Sequence, residues 1–374
     1  MPRRLSTTAV LLLLALPVLC GHWALLAQTV AKSTAPRAPA GEAPTAVRAD
    51  TVNPRAADIH GVAANTTTQS RTLFFYTSPR STVEMAVHTI PATDEERLAR
   101  LRDDFAQADC GGNNMREQPV ADKHGARGEN LVCNWPGDAA GTIVVVAHYE
   151  HEGKGEGAID DWSGAALLPF LYQAVQGQPR RNSYVFLESW KGEGADTWLK
   201  SQTKEERKRI RAVIDLDGLG CSYTRFFTTF SPFESVPLGA THLQTELLWA
   251  ALSDGLTQAP EQLSPHHWLS VDPTGPFRAI MVPSIVIHSV PADDARIPGS
   301  AADIAAAVDG NAYFTTYHLM CAFLTSLDRV AAKLDTNDHM WDTAGAVDVE
   351  PEQETPVVTF RQFNNGRLGA TKSH

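Results

Sequence analysis

The sequence has no excess of positive charge: 32 lysines and arginines face 43 aspartates and glutamates, a formal net charge of −11 over 374 residues. A chain that neutralises phosphates needs a basic surface, so nucleic acid is excluded as a partner, and docking on an anionic membrane with it. Cysteine is scarce, at five residues. No two cysteines stand in a C-x-x-C spacing, which argues against a cysteine-held zinc site. A phosphate-binding glycine pattern is missing too: Gly153, Gly155 and Gly157 alternate in a loop without the G-x-G-x-x-G spacing. Beyond the first thirty residues no apolar run is long enough to span a membrane.

What is present begins with an export signal. Arg3 and Arg4 precede the apolar run Ala9 to Leu19, and Ala27 offers a small residue for cleavage. Extending the run through Trp23 to Ala27 leaves an uncleaved anchor open, while Leu19 before Cys20 speaks against a lipoprotein site. Residues 1–27 are therefore read as a signal peptide of a secreted or periplasmic protein. Residues 28–70, rich in Ala, Pro and Thr, are read as a linker. A folded domain spans 71–334, and 335–374 is a tail without periodicity. In an oxidising compartment the four remaining cysteines permit disulfides, and Cys110 with Cys133 closes a short loop.

At 43% hydrophobic and 20% charged residues, the chain can bury a substantial core. Thr93 to Ala108 reads as a capped helix with apolar Leu98, Leu101 and Phe105. From Glu129 the pattern alternates. Strands are expected at 129–135, 142–147, 183–187, 212–216 and 284–290, with helices at 163–175, 196–210, 242–256 and 301–334. The continuous apolar run TIVVVA suits a strand buried on both faces. Strands separated by helices imply an α/β, three-layer αβα fold: a mostly parallel sheet with helices on both faces.

Ligand sites in such sheets gather at the carboxyl ends of the strands. Here TIVVVA runs into His148, YVFL into Glu188, AVIDL into Asp217 and SIVI into His288. GAIDDWSGAA places Asp160 and Asp161 just before a helix. Each has a plain structural explanation taken singly; Asp161, for instance, suits a helix N-cap. Five together on one edge supply the imidazole and carboxylate groups that bind zinc, and define a metal-dependent α/β enzyme.

The order AHYE, GAIDDWSGAA, an acidic strand end and LDGLG resembles the zinc aminopeptidase family of co-catalytic exopeptidases. That family also includes glutaminyl cyclases and non-catalytic relatives, and the resemblance covers about residues 71–334. It implies that His148, Asp160 and Asp217 complete one metal's shell, with Asp160 bridging to a second metal. Asp161 matches the residue that follows a cis peptide in the family, and is expected beside Glu188 among the catalytic residues. Glu188 matches the general base that takes a proton from the attacking water. The implied cofactor is zinc, one ion with a second open. The implied substrate is a peptide that loses its N-terminal residue.

The second metal's ligands depart from the family. ESWKGEG stands where EExGLxGS is expected, so Ser189 replaces a carboxylate ligand, with Glu193 as a distant substitute. The late histidine is replaced by Arg296 in one register, or supplied by His288 in another. Glutaminyl cyclases use the half that is altered here, which disfavours cyclase chemistry. The remaining alternatives are a hydrolase with one or two metals and a non-catalytic binding or scaffold module. His266-His267-Trp268 is expected to be a surface loop with an aromatic anchor.

Overall fold

A computed structural model of the chain describes residues 45–46, 75–139, 141–151, 153–228, 238–262, 274–291 and 296–334. The signal peptide, nearly all of the linker, the tail and His266–Trp268 lie outside the described residues.

The first described element is β1 (Thr45–Ala46), a pair of residues inside the segment read as linker. It pairs antiparallel with β2 (Tyr76–Thr77). The helix α1 (Arg80–His88) was not expected; it is short and buries Val83, Ala86 and Val87 on one face. Helix α2 (Asp94–Gln107) starts where its cap predicts: Thr93 accepts from the Glu96 N–H, and the Glu96 carboxylate accepts from the Thr93 N–H. There follow β3 (Met115–Ala121), β4 (Arg127–Trp135) and β5 (Thr142–His148). Strand β3 escaped the sequence because it is half exposed and holds Pro119, which suits the edge position it occupies.

The helix expected at 163–175 is two pieces, α3 (Ser163–Ala165) and α4 (Leu168–Val175), followed by β6 (Ser183–Ser189). The helix expected at 196–210 starts earlier and is also divided. It forms α5 (Lys191–Ser201) and α6 (Lys204–Arg209), because Thr203 opens a second capping box with Glu206. The remainder is β7 (Ile210–Leu216), β8 (Arg225–Thr228), α7 (Leu238–Ser253), β9 (Glu261–Gln262), α8 (Gly275–Arg278), β10 (Ser284–His288) and α9 (Gly310–Leu334).

Eight strands form one mixed sheet in the order β3-β4-β6-β5-β7-β10-β8-β9. Its centre, β6-β5-β7-β10, is parallel; β4 and β8 flank it antiparallel. Alternation along β5 sends Ile143, Val145 and Ala147 into a core shared with α1, α2, α4, α7 and α9. Val144 and Val146 join the opposite core with Trp198 and Leu199 of α5 and Phe277 of α8. Both faces are therefore covered, giving the three layers expected. Each fully buried Val or Ile contributes about 1.5–3 kcal/mol, so the central strands are pinned from both sides. Cys110, just past α2, forms a disulfide with Cys133 of β4, while Cys321 is a buried thiol. No helix among the described residues is long and apolar enough to cross a membrane.

Candidate metal centre

The carboxyl edge of the parallel strands gathers the acidic residues. Register sets the frame: Ala147 stands opposite Glu188 and His148 opposite Ser189 on the paired strands β5 and β6. On the other side β7 ends at Leu216, and the Asp217 N–H donates to Ile287 O of β10 at 3.0 Å. The segment 158–162 lies over this edge. Ser163 fastens it there, donating from Oγ to Ile159 O at 2.7 Å and accepting from the Leu219 N–H at 2.8 Å. The Asp160–Asp161 peptide bond is cis. Asp161 makes no capping hydrogen bond to the helix that follows, so the N-cap reading of that residue fails.

This packing brings one donor atom each of His148, Asp160, Asp161 and Asp217 within 4.8 Å of one another. All four are buried, none more than 8% exposed. The imidazole has carboxylates on both sides. Nδ1 lies 2.5 Å from Asp161 Oδ1 and 3.7 Å from Glu150 Oε2, while Nε2 lies 3.7 Å from Asp217 Oδ1. Burial would lower the His148 pKa, but Asp161, Glu150 and Asp217 together raise it well above the ordinary value. Burial raises Asp161 well above the usual carboxylate range, and burial with the Asp160 charge pushes Asp217 up to about 7. Without a cation the cluster therefore holds protons that a dication would replace.

The residues fit a divalent metal. His148 Nε2 and Asp217 Oδ1 are buried without a hydrogen-bond partner, a costly arrangement for polar atoms that nothing else coordinates. One imidazole and several carboxylates form a donor set that suits zinc. A carboxylate on Nδ1 is the usual means of orienting a ligating histidine. Glu188 belongs to the same edge but not to the converging set. It is wholly buried, neither oxygen has a hydrogen-bond partner, and burial raises its pKa well above the ordinary value.

The second half of the expected site is dispersed. Ser189 is buried and donates from Oγ to Lys191 O at 2.7 Å. Glu193 sits in the first turn of α5, and Arg296 is exposed; neither joins the cluster. His288, expected as a ligand, is separated from the set. Strand β7 lies between β5 and β10, so His288, of the same strand parity as His148, stands a strand further along the sheet, its ring edge-on to Phe227 at 5.6 Å. Burial and the nearby Arg225 charge pull its pKa down to about 3, leaving it neutral.

Three supporting residues escaped the sequence. Glu150, two residues after His148, is buried beside the imidazole. Arg97 is fully buried and donates to Tyr149 O, Glu150 O and Glu156 O, clamping the loop after β5. Its signal was a charge four residues before Leu101 on the apolar stripe of α2. Asp303, whose signal is weaker still, accepts from backbone N–H groups at the site.

The fold and the buried His–Asp cluster define an α/β protein with side chains that could hold a divalent metal. The family model of peptidase family M28 matches residues 130–318, just over half of the chain. The chain belongs to peptidase family M28. Among solved structures it is similar to a glutaminyl cyclase from Fimbriiglobus ruber, at 16% identity and TM-score 0.52, over 68% of this chain and 98% of that one. It is similar also to the LapA aminopeptidase of Legionella pneumophila, at 16% identity and TM-score 0.52, over 67% of this chain and 72% of that one. A zinc aminopeptidase from Bacillus subtilis matches at 15% identity and TM-score 0.45 over 54% of this chain, which spans 50% of that chain's length. No curated protein matches. At these identities the likenesses concern the fold, which serves both aminopeptidases and cyclases.

Proposed function

We propose that the protein is a secreted, metal-dependent exopeptidase that removes N-terminal residues from peptides. The observation that carries this reading is the buried convergence of His148, Asp160, Asp161 and Asp217 beside the unpartnered carboxylate of Glu188. Membership of a peptidase family supports it. His148, Asp160 and Asp217 would hold one zinc ion, with Asp161 orienting His148 from the Nδ1 side, a change from the catalytic role first expected of it. When bound, zinc supplies Lewis acidity that makes water a nucleophile near neutral pH. Glu188 takes the proton of the attacking water at a carboxylate oxygen and returns it to the departing amine. Its raised pKa makes it a stronger base than an exposed glutamate. Burial of the whole edge keeps bulk water from the cluster and strengthens each charge interaction there.

One observation favours a second reading, a non-catalytic family member that binds a ligand: Ser189 stands where a carboxylate is expected and its hydroxyl is engaged by Lys191 O. Elemental analysis of the purified protein, paired with hydrolysis of aminoacyl p-nitroanilides, separates the two. One zinc per chain with release of the aminoacyl group supports the exopeptidase. No metal, even after zinc is added back, supports the binding module.

A further inference from the structure

The alternating glycines of GKGEG, which match no phosphate-binding pattern, have a place in the structure. Gly153 and Gly155 lie at φ of +122° and +100°, where L side chains are strained. A Cβ on Gly153 would stand 2.5 Å from Gly299 O, and one on Gly155 would stand 2.5 Å from Ser300 O and 2.7 Å from Asp303 O. The strap thus lies directly on the loop after β10. Backbone bonds join the two: the Lys154 N–H donates to Gly299 O at 3.1 Å, and the Glu156 N–H to Asp303 O at 2.7 Å. The Glu156 carboxylate returns the contact by accepting from the Ala305 N–H at 2.8 Å.

This pairing delivers one buried carboxylate to the metal centre. Asp303 is 0% exposed. Its Oδ1 accepts from the Ile159 N–H at 2.6 Å, and its Oδ2 from the Asp160 N–H at 3.2 Å and the Gly299 N–H at 3.1 Å. Two consecutive N–H groups of the segment bearing Asp160 and Asp161 therefore end on one side chain. Asp160 itself has φ −116° and ψ 96°, so its N–H is not committed to a regular helix. We propose that Asp303 is a positioning residue for the metal centre, holding the Asp160–Asp161 backbone so that both carboxylates meet His148 and Asp217. The proposal rests on the reading that this cluster binds a divalent ion. The glycine strap is then the device that lets a distant loop reach the site. Buried partners of ligands commonly set metal affinity by about 10- to 100-fold.

The test uses the full chain loaded with cobalt(II), whose visible absorption bands report ligand geometry. Asp303→Ala should lose about 10- to 100-fold in cobalt affinity, measured by chelator competition, and its bands should shift in energy or intensity. Leu327→Ala is the control. It removes a buried side chain next to Asp328, which binds the Asn182 N–H ahead of β6 at the opposite end of the sheet. That variant should melt earlier yet keep wild-type affinity and bands. If Asp303→Ala does not fold, Asp303→Asn carries the test: it keeps one acceptor oxygen and should show a smaller loss in the same direction. Wild-type affinity and bands in the Asp303 variants would overturn the positioning role. A wild type that takes up no cobalt would overturn the metal reading itself.

Discussion

Gly164 is the position where one methyl group should test the geometry of the site. It lies in α3, between the Asp160–Asp161 segment and the β7 end that carries Asp217. A Cβ there would stand 2.1 Å from Leu216 O and 3.2 Å from Ala147 Cβ. The obstacle is backbone in the middle of the sheet, so it cannot rotate away. Restoring an ordinary separation of about 3.5 Å requires α3 to lift from the strands. Overpacking of this kind costs about 1–3 kcal/mol, and for a domain of this size the melting temperature should fall by roughly 2–12 °C. The lift also carries Asp160 and Asp161 away from Asp217, so Gly164→Ala should bind zinc more weakly than its lost stability explains. Calorimetry and a chelator-competition titration measure the two effects. Gly111→Ala serves as control, with nothing within 4 Å of its Cβ and an extended backbone at φ −153°. It should melt within about 2 °C of wild type. A Gly164→Ala protein that melts and binds zinc like wild type would refute the claim that this contact sets the spacing of the cluster.

Further outcomes follow from the same edge of the sheet. Glu188→Gln should keep its zinc and lose about 10²- to 10⁴-fold in kcat, and unchanged turnover would remove Glu188 as the base. Because the metal-free cluster holds a proton on His148 and another on Asp217, binding must release them, and zinc affinity should strengthen as pH rises from about 6 to about 8. Equal affinity at the two pH values would mean that the cluster is not the site. His148→Ala should abolish zinc uptake while far-UV circular dichroism stays that of the folded protein; one zinc per chain retained in that variant would relocate the metal.

The sequence revealed those parts of the fold whose signals are local. TIVVVA and the Thr93 capping box announce β5 and α2 because burial on both faces and N–H capping each leave a mark within a few residues. The edge strand β3 left almost none, being half exposed, and the helix α1 is only nine residues long with three buried. Of the strand-end candidates, Glu188 and His288 lie outside the cluster, while His148 and Asp217 lie in it with Asp160. Asp161 joined them for a reason no linear pattern contains: its direction depends on how 158–162 packs across the edge. His288 shows the opposite failure. It ends a buried strand with the same parity as His148, but β7 lies between β5 and β10, so it stands a strand away from the cluster. Asp303 and Arg97 lie far in sequence from the groups they hold, and only packing connects them.

The altered second half of the site makes the last claim testable. If Ser189 were simply a missing ligand, Ser189→Glu would restore a second metal. The structure gives two reasons why it should not. First, the space is taken: Ser189 is fully buried, and a Cβ on Gly194 would lie 2.4 Å from its Oγ and 2.3 Å from Asn130 Oδ1. Asn130 is itself engaged, accepting from the Trp190 N–H at 3.0 Å and donating to Gly194 O at 2.8 Å, so a longer side chain would break that brace. Second, a carboxylate there would find no imidazole of a second site, since His288 lies outside the converging set and Arg296 is exposed. Ser189→Glu should therefore lower stability by about 1–3 kcal/mol and leave the zinc content at one ion per chain. A folded Ser189→Glu protein holding two zinc ions would show instead that the remaining ligands of a second site are within reach, and that this single substitution alone closed it.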